Sequence, residues 1–189
     1  MAAQAKFLEL LNNPGETWIS AFGFTLQPMF DEIKKAMAAG VKVHILLDHS
    51  QEVGRAEAPK VQDLVNNLGP GSELVITTAG VNSAKPSQIW HFKAMVVANP
   101  GGEDYCWEGS TNFSESAWYQ GNSARLFNNN QWASKIIFQQ AAHMAWARAH
   151  EPQYQLTPGV APAAPAPVPP AAKAKKVKVT VVKQPTPTT

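Results

Sequence analysis

The stretch "IWHFKAMVVANPGGEDYCWEGSTN", Ile89 to Asn112, carries two apolar runs around a Gly-rich centre. "IWHFKAMVVA" reads as a strand, and "YCWE", Tyr105 to Glu108, as its hairpin partner across "NPGGED". A hairpin here makes two neighbouring strands antiparallel. Upstream, strand and helix signals alternate instead. "WISAFGF" (Trp18 to Phe24) is aromatic and β-branched, hence strand-like. In "PMFDEIKKAMAAG", Pro28 suits a first helical turn. Phe30, Ile33 and Met37 recur at helical spacing, and Gly40 suits the stop. "VKVHILLD" (Val41 to Asp48) reads as a central, buried strand. A helix with Val61, Leu64, Val65 and Leu68 on one face follows, then the strand "ELVITT" (Glu73 to Thr78). "SARLF" reads as a last strand and "QWASKIIFQQAAHMAWARAH" as a long closing helix. The expected fold is α/β, a mixed β-sheet flanked by helices.

Composition sets the outer bounds. The chain has 189 residues, room for one ordinary domain and a tail. The one cysteine, Cys106, excludes an intramolecular disulfide and a multi-Cys zinc site. It fits a reducing compartment. The N-terminus lacks the pattern of a signal peptide, and no run is long enough to span a bilayer. A cytoplasmic protein is expected, with membrane association possible but not favoured.

Charge is uneven. Of 16 Lys and Arg against 14 Asp and Glu, five lysines and only one acid, Glu151, lie beyond His150. The part before is slightly acidic, so a globally basic nucleic-acid footprint is absent. From Glu151 the composition turns Pro/Ala-rich and then Lys/Val-rich. We expect a domain over residues 1–150 and a disordered tail over 151–189.

Residues two apart on a strand share a face, so His91 and Lys93 are expected to project together. Gly109-Ser110-Thr111-Asn112 follows on the partner strand and would join them at one end of the sheet. An imidazole can attack phosphorus and form a covalent phospho-enzyme. An ammonium, an amide and a hydroxyl can hold the non-bridging oxygens. His49, at a strand end, is a candidate accessory residue. Trp118 and Tyr119 are candidates for contacting a base or head group. His44 reads as structural.

"HFK" and "GSTN" in this order resemble the phospholipase D superfamily, whose signature is H-x-K-x4-D-x6-G-S-x-N. The likeness runs from about Phe7 to His150 and looks like the short single-motif members of the bacterial endonuclease type. It implies a phospholipase D-like hydrolase, a metal-independent phosphodiesterase with no cofactor. His91 would be the nucleophile, with Lys93, Ser110 and Asn112 on the phosphate. A single H-x-K motif implies a homodimer sharing one site, where the second histidine protonates the leaving group. The substrate would be nucleic acid or another phosphodiester.

Two positions depart from the family pattern. Ala98 stands where the signature has Asp. Ala124 stands where members carry a Glu that orients the nucleophilic histidine. Glu108, Asp104 and Asp48 are candidate replacements. Two alternatives stay open: a catalytically reduced protein that binds a polyanion or a partner, and a phospholipid phosphodiesterase.

Overall fold

A computed structural model describes residues 2–52, 57–78, 89–99 and 101–159. Six strands form one sheet: β1 (Glu16–Ala21), β2 (Val43–Asp48), β3 (Glu73–Thr77), β4 (Ala94–Ala98), β5 (Tyr105–Gly109) and β6 (Ala124–Asn128). Their order is β3-β2-β1-β4-β5-β6. β1, β2 and β3 are parallel; β4, β5 and β6 are antiparallel to their neighbours. The sheet is therefore mixed, as the late hairpin required. The helices are α1 (Ala2–Leu10), α2 (Gln27–Ala38), α3 (His49–Glu52), α4 (Glu57–Asn66) and α5 (Asn130–His150). α1 was not foreseen.

Both faces of the sheet are covered, which is why β2 is buried at every position. Ile45 and Leu47 enter a core with Phe7 of α1, Phe30 and Ile33 of α2, and Leu64 of α4. Leu46, between them, points the other way and packs with Met144 and Ala147 of α5. Period-two alternation thus feeds two apolar layers. α5 presents Ala133, Ile136, Gln140, Met144 and Ala147, a stripe at helical spacing. Its buried Gln140 accepts from Ser20 Oγ at 2.9 Å and donates to the carbonyls of Ile19 and His44. No buried polar atom of that amide is wasted.

Two readings change. The strand expected from Ile89 begins only at Ala94. Its neighbours run only one residue further: Ser20 of β1 and Glu108 of β5, each next to the last residue of its strand, both sit opposite Ala94. One longer bond, Gly109 N–H to Lys93 O at 3.3 Å, extends the ladder. His91 and Lys93 lie ahead of the strand, so strand alternation does not orient them.

The domain boundary at Glu151 also moves. Glu151 is buried, and Pro152–Tyr154 forms a 3-10 turn. Tyr154 and Leu156 pack against the main core. Gln155 receives the N–H of Ile76 and donates to its carbonyl, at 3.1 and 2.8 Å. Residues 151–159 thus belong to the folded unit. The tail proposed beyond them lies outside the described residues.

Candidate active site

β1 has β2 on one side and β4 on the other, so the chain's winding reverses at β1. In open α/β sheets such a reversal leaves a crevice at the carboxyl ends of the parallel strands. The chemistry-bearing residues collect at that edge. Phe22 and Gly23 follow β1, Asp48 ends β2, His91 and Lys93 precede β4, and Ser110 and Asn112 follow β5.

Phe22 joins the histidine to the lysine. Its ring meets the His91 ring edge-on, with centroids 4.7 Å apart. The Lys93 ammonium stands 4.9 Å from the same centroid. His91 is exposed, whereas Lys93 is only 4% exposed. Lys93 Nζ donates to the carbonyl of His91 at 2.9 Å. Desolvation lowers the Lys93 pKa to about 8 from 10.5, against the attraction of Asp48.

The "GSTNFS" segment is docked by backbone bonds. Phe113 N–H donates to Gly23 O, and the N–H groups of Thr25 and Leu26 both donate to Phe113 O, all at 2.9 Å. This seats Asn112 against Gly23, where a Cβ would lie 3.4 Å from the Asn112 side chain. The buried Asn112 Oδ1 has no hydrogen-bond partner among the described residues. Ser110 clips the next loop: its hydroxyl accepts from Ser123 N–H at 2.9 Å and donates to Ser123 O at 3.3 Å. Buried Glu57 accepts the N–H of Phe24 at 3.0 Å and braces the loop after β1.

A cavity of about 550 Å³ opens beside these residues, lined by His91, Phe92, Lys93, Glu108, Ala124, Arg125 and Trp132 among others. Glu108 is held by Arg125, whose Nε lies 2.9 Å away, and by Trp132 Nε1 at 2.8 Å. Arg125 and Trp132 escaped the sequence reading. Each follows a loop whose path is set by long-range pairing, so no local signal marks them.

The two departures fall in different places. Ala98 sits at the far end of β4, opposite Glu16. Five extended residues from Lys93 span about 17 Å, so an acid there would not touch His91. Ala124 pairs with Gly109 and lines the cavity. A carboxylate there would face the site.

The remaining candidates are dispersed. His49 packs its ring on Tyr154, centroids 4.0 Å apart. Trp118 is set between Phe7 and Trp107 at 5.5 and 5.7 Å, and lines a second cavity of about 270 Å³. Tyr119 is 72% exposed. Asp104 accepts the N–H of Asn99 within the hairpin turn. No group of three or more His, Cys, Asp or Glu placed to hold a metal occurs among the described residues. None of the described helices is long and apolar enough to cross a membrane.

Residues 7–146 match a family described as "Cardiolipin synthase, PLD-like domain". No curated protein sequence matches the chain. Solved structures do. Nuc from Salmonella typhimurium, a phospholipase D family member, aligns at TM-score 0.61 and 22% identity, over 74% of this chain and 85% of that one. NucT from Helicobacter pylori aligns at 0.63 and 15%, over 76% and 87%. TrmBL2, an archaeal chromatin protein whose structure shows a mode of DNA binding, aligns at 0.51 and 17%, over 77% and 48%. At these identities the likeness is one of fold.

Proposed function

The chain belongs to the phospholipase D superfamily, with its PLD-like domain over residues 7–146, and we propose that it is a nuclease-like, metal-independent phosphodiesterase working through a phosphohistidine at His91. The observation that carries this reading is the meeting of His91, Lys93 and Asn112 around Phe22 and Gly23 at the sheet's crevice edge. The site residues come from three separate stretches of chain, and a surface-facing strand edge would not gather them.

In the proposed reaction, an imidazole nitrogen of His91 attacks phosphorus as the P–O bond to the leaving alcohol breaks. The leaving oxygen takes a proton from the equivalent histidine of a second copy, in a homodimer. That histidine then removes a proton from water. The water oxygen bonds to phosphorus, the P–N bond breaks, and a phosphate monoester leaves. Lys93 and Asn112 hold the non-bridging oxygens, where charge gathers in the transition state. Ser110 joins them by exchanging its long bond to Ser123 O for a phosphate oxygen. The cavity walled by Arg125 and Trp132 receives the group next to the scissile phosphate. Nucleic acid is favoured over lipid as substrate by the fold shared with a DNA-binding chromatin protein.

Ala124 supports a second reading, that of a binding protein with reduced turnover. The cavity-wall position where a family acid would face the site holds Ala124 and carries no charge, and the wall carboxylate, Glu108, is committed to Arg125 and Trp132.

The deciding experiment sets wild type beside His91→Ala on bis(p-nitrophenyl) phosphate and plasmid DNA, in EDTA. Turnover indifferent to EDTA and lost in the variant, with an acid-labile phosphoryl group trapped on the wild type, is expected. Binding of DNA without turnover by folded protein sinks the enzymatic reading in favour of the second.

A further inference from the structure

The segment from Ile89 to Phe92 has no ladder partner among the described residues, yet it carries the nucleophile. Its hold on the fold comes from elsewhere. The N–H of Trp90 donates to Oδ2 of Asp48, at the end of β2. The other oxygen, Oδ1, accepts from the N–H of Ser50 at 2.9 Å and from the Ser50 hydroxyl. Asp48 is 1% exposed, so this carboxylate is a buried charge with every bond directed at a chain turn. From the other side, the Trp90 ring stacks on His143 of α5, centroids 4.4 Å apart. Lys93 then closes the segment onto itself through the His91 carbonyl.

A buried carboxylate is costly unless it is hydrogen-bonded and its charge is used. Here the nearest use is Lys93, whose ammonium Asp48 attracts. Around Lys93 stand His91 from its own segment, Phe22 after β1, and Glu108 and Arg125 across the cavity, and Asp48 at the end of β2 acts on its charge. Glu108 is already paired with Arg125. Asp48 is therefore the acid whose charge is directed at the segment rather than at another wall residue.

We propose that Asp48 is the positioning carboxylate of the His91 site, fixing the Trp90–Lys93 segment, and with it the Lys93 ammonium, through the Trp90 amide. This rests on the phosphodiesterase reading for its catalytic consequence. Asp48 occupies neither of the positions where the superfamily pattern places its acids. It acts through Trp90 and Lys93 and does not touch the phosphate.

The test compares wild type with Asp48→Asn. The amide is isosteric, but it offers one acceptor where the carboxylate offers two, and no charge. We expect kcat/KM on bis(p-nitrophenyl) phosphate to fall by about 10²-fold, the loss typical of a reacting group misplaced by an ångström. The alkaline limb of the pH profile should move to lower pH, because a neutral residue 48 no longer favours the ammonium. A general loss of packing would lower the rate without moving that limb, so an unmoved limb overturns the proposal.

A second measurement needs neither turnover nor the variant. In wild-type protein, the Trp90 amide should be protected from hydrogen exchange although it lies outside any strand. Exchange as fast as that of exposed loop amides overturns the proposal, even if Asp48→Asn does not fold. Should wild type turn over no phosphodiester, the functional reading fails. The Trp90 exchange rate and the Lys93 titration, followed by NMR in both proteins, then still decide whether Asp48 does what is proposed.

Discussion

Lys93 Nζ donates to the carbonyl of His91, two residues back, at 2.9 Å, and the ammonium is buried as it does so. The phosphate ligand of the proposed reaction is thus held by the backbone of its proposed nucleophile, over the Phe22 ring.

The pH dependence follows from that burial. Desolvation puts the Lys93 pKa at about 8, below its ordinary 10.5. The proposed reaction uses the charged form, so kcat/KM should decline above about pH 8. Stability should move the opposite way. Between pH 8 and 10.5 the unfolded chain holds a proton that the folded chain has released, so stability rises with pH across that window. Lys93→Arg, charged throughout, should lose the alkaline limb in any activity that it retains. A rate flat from pH 7 to 10 in wild type would count against Lys93 as the phosphate-holding cation.

Lys93→Met should give a more stable and inactive protein. The substitution keeps the length of the side chain and removes a buried charge whose one hydrogen bond among the described residues is to a carbonyl. A shift of this size corresponds to a few kcal/mol at about 1.4 kcal/mol per pH unit, less what the lost hydrogen bond contributes. Thermal unfolding near pH 7 should show a Tm several degrees higher. A lower Tm would mean that the ammonium stabilises the fold, contrary to its desolvation.

Gly109→Ala should loosen the β5–β6 edge. A Cβ at this position would lie 2.2 Å from Ser123 O and 2.5 Å from Ala124 Cα, both backbone atoms that cannot swing aside. The strands must part at the point where Ser110 clips Ser123. Destabilisation of about 1–3 kcal/mol is expected, with weakened phosphodiester binding because the cavity wall moves. Denaturant unfolding checks the first part, and KM the second. Wild-type stability would show that the edge has room that the backbone contacts deny.

His44→Ala should separate stability from chemistry. The imidazole nitrogens lie 2.5 Å from Glu16 and 2.6 Å from Glu73, and the ring stacks on Trp18 at 3.9 Å. Glu73 is also paired with Arg148. Removing the ring leaves two carboxylates with a cavity between them, a loss of about 2–4 kcal/mol. His44 lies near the start of β2, with three strand residues between it and Asp48 at the site edge. Turnover per folded molecule should therefore hold. A drop in turnover with unchanged Tm would reverse the assignment.

Much of the architecture was legible because it is written in local periodicity. β2 declared itself as an unbroken apolar run, and α2 through Phe30, Ile33 and Met37. The hairpin declared itself through the Gly-rich turn between β4 and β5. Helical and extended backbones impose fixed repeats, so a burial pattern survives in the order of residues. His91, Lys93, Ser110 and Asn112 were named from residue type and spacing by the same means.

What the sequence could not settle is where side chains arrive once the sheet closes. Strand alternation put His91 and Lys93 on a common face; the fold stops the strand at Ala94 and orients them through Phe22 instead. Ala98 and Ala124 are equal departures in the sequence, yet one lies at the far end of β4 and the other on the cavity wall. Asp48 and Trp90 are 42 residues apart and share a hydrogen bond. Pairings of this kind depend on which strands become neighbours and where each ladder ends. Those are properties of the packed sheet, because the energy that fixes them comes from burial shared among distant segments.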